Sequence, residues 1–150
     1  MQWVTREHPR TDRIACPWLI RTFIDRDAEI VYVARDEVLP YAERTGATSF
    51  DAPGASYTHR DGKCSFEVLV DAYRLGGDPA LALMARVIHG ADVSEDIGVT
   101  PQSAGLMAIA DGFAELGVDD QRQLALELPV YDALYAWAQR QTRGGRPHTS

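Results

Sequence analysis

Residues 56–69, SYTHRDGKCSFEVL, gather His59, Cys64 and Glu67 around a glycine-bearing turn, and HGAD at residues 89–92 adds His89 and Asp92. Two imidazoles with one or two carboxylates suit Fe(II), Mn(II) or Zn(II), because neutral nitrogen and anionic oxygen match borderline-hard divalent ions. His59 stands on the way out of an extended piece, and Glu67 in the first turn of the helix that follows. His89 and Asp92 are three residues apart at the end of another helix, so both project from one face. The pattern predicts one divalent ion shared by His59, Glu67, His89 and Asp92. The spacing matches no named zinc or iron motif, and each residue has a plainer use. Glu67 and His89 can complement helix dipoles, and Asp92 can cap the following turn.

The thiols and arginines offer a second chemistry. Cys16, placed at a helix start beside arginines, could be a lowered-pKa thiolate or an oxidant sensor. Next to Trp18 and Leu19 it could equally be a small buried hydrophobe. Cys64, in or beside the polar turn, suits a metal contact or exposure. Two cysteines are too few for a disulfide framework, and both are expected as free thiols. Arg6, Arg10, Arg13 and Arg21 cluster near the start of a chain whose net charge is −7. With Asp12 beside them, Arg13 and Arg21 could grip an oxyanion in the bidentate manner of guanidinium. The alternative is an internal Asp–Arg pair that fixes the loop to the helix.

The elements that must position these groups follow from patterning. QWVTR (2–6) and EIVYVA (29–34) are β-former runs and read as strands. CPWLIRTFID (16–25) has helical apolar spacing, with Pro17 in an opening turn; the start could also lie nearer Asp12. Residues 35–46 read as a short helix ended by Gly46, and residues 47–59 as two extended pieces split by Pro53-Gly54. After the RDGK turn only helices are expected, at 65–75, 79–92, 101–117 and 119–141. Asp78-Pro79 and Thr100-Pro101 supply cap and first helical residue for two of them, and Pro129 is expected to break or kink the last. The fold class is therefore α+β: a small sheet from the N-terminal third and a mostly helical remainder. Residues 1–141 are expected to form a single domain, with a polar, glycine-rich tail at 142–150 that is disordered.

Composition narrows the partners. The acidic balance argues against direct binding of nucleic acid, which leaves a basic footprint. No apolar run reaches the roughly 18 residues a membrane span needs, and MQWVTREHPR has no signal-peptide apolar region, so the expected compartment is the cytoplasm.

WVTREHPRTDRIACPWLIRTFID, FDAPGASYTHRDGKCSFEVL, DPALALMARVIHGAD, SAGLMAIADGF and VYDALYAWAQ together resemble the C-terminal domain of the chromate-resistance protein ChrB, over residues 3–138. DRIACPWLI and the His-to-CSFE stretch are the most specific parts. The resemblance implies a role in chromate resistance, as a regulator or beside a chromate transporter. The family's characteristic polar residues fall on Asp12, Arg13, Cys16, Arg21, His59, Cys64, Glu67, His89 and Asp92, the residues already singled out by chemistry. ChrB proteins typically carry a further N-terminal region that is not expected in this chain, which again argues against direct DNA binding. Three functions compete. One is a module that binds a metal ion or small oxyanion and reports to a protein partner or a second copy of the chain. The second is a small metalloenzyme, redox or hydrolytic, and the third is an accessory protein with no chemistry.

Overall fold

The computed structural model describes residues 1–143. The expected tail from residue 144 onward lies outside the described residues, and the last helix runs through Thr142.

Three short parallel strands form the sheet: β1 (Gln2–Arg6) in the centre, β2 (Glu29–Val33) on one side and β3 (Thr48–Ser49) on the other. Trp3 pairs with Ile30 and Val4 with Ser49. Parallel pairing demands crossovers, which α1 (Asp12–Leu19) and α2 (Val38–Thr45) supply. Alternate residues of β1 face opposite sides of the pleat. Trp3 enters the main core with Ile14, Leu19, Ile30, Phe50 and Phe66, whereas Val4 enters a smaller cluster with Val38, Ala47, Ala52 and Ala55.

The rest is helical: α3 (Ser65–Ala72), α4 (Pro79–Asp92), α5 (Pro101–Glu115) and α6 (Asp120–Thr142). The α+β expectation holds, and so do the caps. Asp78 accepts from the backbone N–H groups of Ala80 and Leu81, and the Thr100 hydroxyl from that of Ser103. No helix of the described residues is long and apolar enough to cross a membrane.

One alternative is decided and two expectations are corrected. The first helix takes the start at Asp12, with Pro17 inside it. Pro17 has no N–H for the carbonyl of Arg13, and the Tyr32 hydroxyl donates to that carbonyl instead, at 2.7 Å. Pro129 likewise fails to break α6, which is one helix. Of the extended pieces at 47–59, only two residues form a strand, followed by an isolated bridge between Phe50 and Tyr57.

Candidate functional site

In open sheets with parallel strands, ligands bind beyond the carboxyl ends of the strands. Here β1 ends in Arg6, and β3 leads through Phe50 to Asp51. Asp51 is buried and has a left-handed backbone (φ 46°), a conformation aspartate tolerates better than most residues. That turn brings its carboxylate to a centre of contacts. Oδ1 accepts from the Ser65 hydroxyl at 2.7 Å and lies 3.3 Å from His59 Nδ1. Oδ2 lies 3.3 Å from Arg13 Nη1 and 3.7 Å from Arg6 Nη2.

The other face of the His59 ring meets two more acids. Nε2 is 2.8 Å from Asp92 Oδ2, at the end of α4, and 3.9 Å from Asp12 Oδ2, at the start of α1. Asp12 Oδ2 also accepts the Ser65 N–H that opens α3, at 2.8 Å. Asp12 Oδ1 is buried and has no hydrogen-bond partner among the described residues. One donor atom each from Asp12, His59 and Asp92 lies within 4.8 Å of the others, a separation that suits a shared ion.

The electrostatics show how much this spot favours positive charge. Hydrogen bonds to Asp51 and then Asp92 push His59 up to about 10 against the cost of its partial burial. Burial, then repulsion from Asp92 and Asp51, pushes Asp12 well above the usual carboxylate range. Asp51 is also buried, but bonds from His59 and Ser65 and the charge of Arg13 outweigh burial and hold it below its ordinary value. An open cleft of about 450 Å³ lies against this group, lined by Arg6, Arg10 and Arg13 together with Asp92, Ser94 and Asp111. Arg10 and Asp111, both in its lining, form an ion pair, and Arg13 Nε is buried without a partner among the described residues.

Glu67 and His89 belong to a different group. Cys64 is the N-cap of α3, and Glu67 Oε1 accepts its N–H at 3.0 Å, closing a capping box. His89 Nδ1 lies 2.5 Å from the same Oε1, and His89 Nε2 lies 2.6 Å from Asp96 Oδ2. Cys64, Glu67 and His89 form a second donor set with the same mutual spacing. The four residues expected around one ion are thus sorted into two sets, His59 with Asp92 and Glu67 with His89. The i,i+3 pair on α4 is divided between them.

Other expected residues move away from the chemistry. Cys16 is wholly buried in the core, and burial followed by the charge of Asp12 pushes its thiol well up, the reverse of a reactive thiolate. The helix starts four residues earlier than the reactive reading requires, which puts Cys16 in its middle. Arg21 donates through Nε to the Ala28 carbonyl at 3.1 Å and lines a separate hollow with Phe23 and Arg26. It stands eight residues beyond Arg13, roughly 12 Å along a helix. Cys64 is not exposed; it is buried with its sulfur inside the second donor set, and burial raises its thiol. Both cysteines are free thiols, as expected. Three contributors went unread: Asp51, Ser65 and Asp96. Asp51 alone left a trace, as an acid directly after a strand and before an Ala-Pro-Gly turn.

The family model described as ChrB, C-terminal domain, matches residues 3–138. The chain belongs to the ChrB C-terminal domain family. Protein ChrB of Cupriavidus metallidurans is 38% identical over 136 residues, covering 89% of this chain and 40% of that protein. The chain therefore spans about two fifths of the curated relative it matches. No solved structure matches. The matched segment carries both donor sets and the arginine cleft, so each of these features lies within the ChrB C-terminal domain itself.

Proposed function

We propose that this domain serves chromate resistance as a binding module that takes a divalent cation and a small tetrahedral oxyanion side by side. Asp12, His59 and Asp92 hold the cation, and Arg6, Arg10 and Arg13 receive the oxyanion in the adjoining cleft. The observation that carries this reading is Asp12, a buried carboxylate with one unpartnered oxygen, next to two further acids and an arginine-lined opening. Two carboxylates and one imidazole form an oxygen-rich set, which favours Mn(II) or Fe(II). A second reading, a small metalloenzyme, draws on the open cleft: three protein ligands would leave a coordination position for a substrate. Binding without turnover separates the module from the enzyme.

The test is thermal melting of metal-stripped protein with Mn(II) or with sulfate or molybdate as a chromate-shaped dianion. Each should raise the melting temperature saturably, because a ligand that binds only the folded state stabilises it. His59→Ala should lose the Mn(II) shift. Arg13→Ala should lose the oxyanion shift, and Arg21→Ala should keep it. Absence of any saturable shift in the wild type rejects the proposal.

A further inference from the structure

We propose that Cys64, Glu67 and His89 form a second metal site, distinct from the cleft and suited to a thiolate-accepting divalent ion of the zinc class. This goes beyond the cleft reading and does not depend on it. The first argument is geometric. One donor atom from each of the three side chains lies within 4.8 Å of the others. Ligands at about 2.0–2.3 Å from a common tetrahedral ion fall within such a spacing.

The second argument is the back of the histidine. His89 Nε2 lies 2.6 Å from Asp96 Oδ2 and Nδ1 lies 2.5 Å from Glu67 Oε1; with the Nε2 proton kept for Asp96, loss of the Nδ1 proton would point a lone pair at Glu67 and Cys64. Metal-bound imidazoles characteristically carry such a carboxylate on the nitrogen away from the ion, where it fixes the tautomer and raises ligand basicity. The third argument is what the capping box leaves unexplained. A cap at position 64 would be better served by serine, threonine, asparagine or aspartate. The box also needs only Glu67, yet His89 from α4 and Asp96 beyond it are held in line with the same carboxylate. A proton shared between His89 and Glu67 occupies the place a metal would take. On binding, the thiol proton of Cys64 and that shared proton leave to solvent, and sulfur, nitrogen and oxygen each donate a lone pair to the ion.

Sulfur separates this site from the cleft, because thiolate selects softer ions than a carboxylate-rich set does. Cobalt(II) reads the difference by spectroscopy. Added to the metal-stripped full chain, it should produce a near-ultraviolet thiolate-to-cobalt charge-transfer band that saturates at one thiolate-bound ion per chain. Cys64→Ser should abolish the band, and Cys16→Ala and His59→Ala should keep it. Asp96 is half-exposed, so Asp96→Asn should fold normally; it should weaken cobalt binding about ten- to a hundredfold with the band restored at saturation. If Cys64→Ser does not fold, the Cys16→Ala and Asp96→Asn results decide. Cobalt bound by the wild type without a thiolate band overturns the proposal and leaves the cleft intact. A band that disappears in Cys16→Ala, or an Asp96→Asn affinity equal to wild type, also overturns it.

Discussion

The two donor sets are built to one plan and differ in one atom type. Each takes a group from the end of α4, joined in the first set by the start of α1 and in the second by the start of α3, and in each a carboxylate sits behind an imidazole. Asp51 backs His59 through Nδ1, which aims Nε2 at Asp12 and Asp92. Asp96 backs His89 through Nε2, which aims Nδ1 at Glu67 and Cys64. The backing acid therefore decides which ring nitrogen faces the donors. The surroundings then diverge: the first set opens on an arginine-lined cleft, and the second encloses a buried thiol. The same helix junction thus presents an oxygen-rich set to solvent and a sulfur-bearing set to the interior, a contrast that would favour different ions at the two places.

The largest effect expected of any single change to this contrast is that of Asp12→Asn. Burial and the facing charges of Asp92 and Asp51 push Asp12 well above the usual carboxylate range, toward its neutral form. Asparagine mimics that form and keeps an acceptor for the Ser65 N–H, so metal-free stability should change by under about 1 kcal/mol. The cation loses an anionic ligand. At a free Mn(II) concentration a thousandfold above its Kd, the wild type should gain about 4 kcal/mol, or about 8–16 °C in melting temperature for a domain of this size. Asp12→Asn should lose most of this gain and leave the thiolate–cobalt band unchanged. A variant that keeps the full Mn(II) shift separates Asp12 from the cation.

A third buried acid stands outside both donor sets and, like Asp12, is raised by burial. Glu127 on α6 is fully buried, with Gln123 Nε2 donating to Oε1 at 3.2 Å and Oε2 unpartnered among the described residues. Burial, only partly offset by Gln123, pushes it up to about 7. With the folded value raised from 4.5, its contribution to stability is complete below about pH 4.5 and is lost as the pH rises through about 7. The loss is on the order of 3 kcal/mol at 1.36 kcal/mol per unit. Glu127→Gln should remove that slope, matching the wild type near pH 4 and exceeding its stability at pH 8. Parallel denaturant titrations of both proteins across that range check it. Equal slopes would mean that a partner offsets the burial of Glu127.

Much of the frame was readable because its signals are local. β1 and β2 are β-branched runs, and Asp78-Pro79 and Thr100-Pro101 announce helix starts with a cap and a preset φ. Pro17 misled because a tertiary contact, Tyr32 reaching the Arg13 carbonyl, replaces the missing helical bond. In the site, His59, Glu67, His89, Asp92 and Asp12 were visible as chemical types, but their partition was not. Whether His89 or Asp92 meets His59 depends on how α4 packs against α3, and no spacing along the chain encodes that. Asp51 was missed for the same reason: its role comes from the strand order β2-β1-β3, which sets the end of β3 beside Arg6. Arg21 shared a composition cluster with Arg13 but not a place.

The smallest expected effect falls on the residue that both sets depend on without contacting either. Gly90 lies between His89 and Asp92, where α4 packs against Ser103 of α5. A Cβ there would stand 2.7 Å from Ser103 Cβ and 2.8 Å from Val99 Cγ1, and would also strike Ser103 Oγ. Ser103 cannot turn away cheaply, because its hydroxyl donates to the Val87 carbonyl at 2.9 Å and is paired with Thr100 Oγ1 at 2.8 Å. Gly90→Ala must therefore push the end of α4 off α5. Overpacking of this kind costs about 1–3 kcal/mol, and the better helix propensity of alanine returns about 1 kcal/mol. The net loss should be about 0–2 kcal/mol, or up to about 8 °C in melting temperature. Gly105→Ala and Gly112→Ala on α5 are the controls, since a Cβ at either meets nothing within 4 Å; each should stabilise by about 0.5–1 kcal/mol. The decisive readout is metal binding. Moving the α4 terminus displaces His89 and Asp92 together, so Gly90→Ala should weaken the Mn(II) shift and the cobalt–thiolate affinity in the same variant. If only one of them weakens, the helix end is not the frame the two sets share.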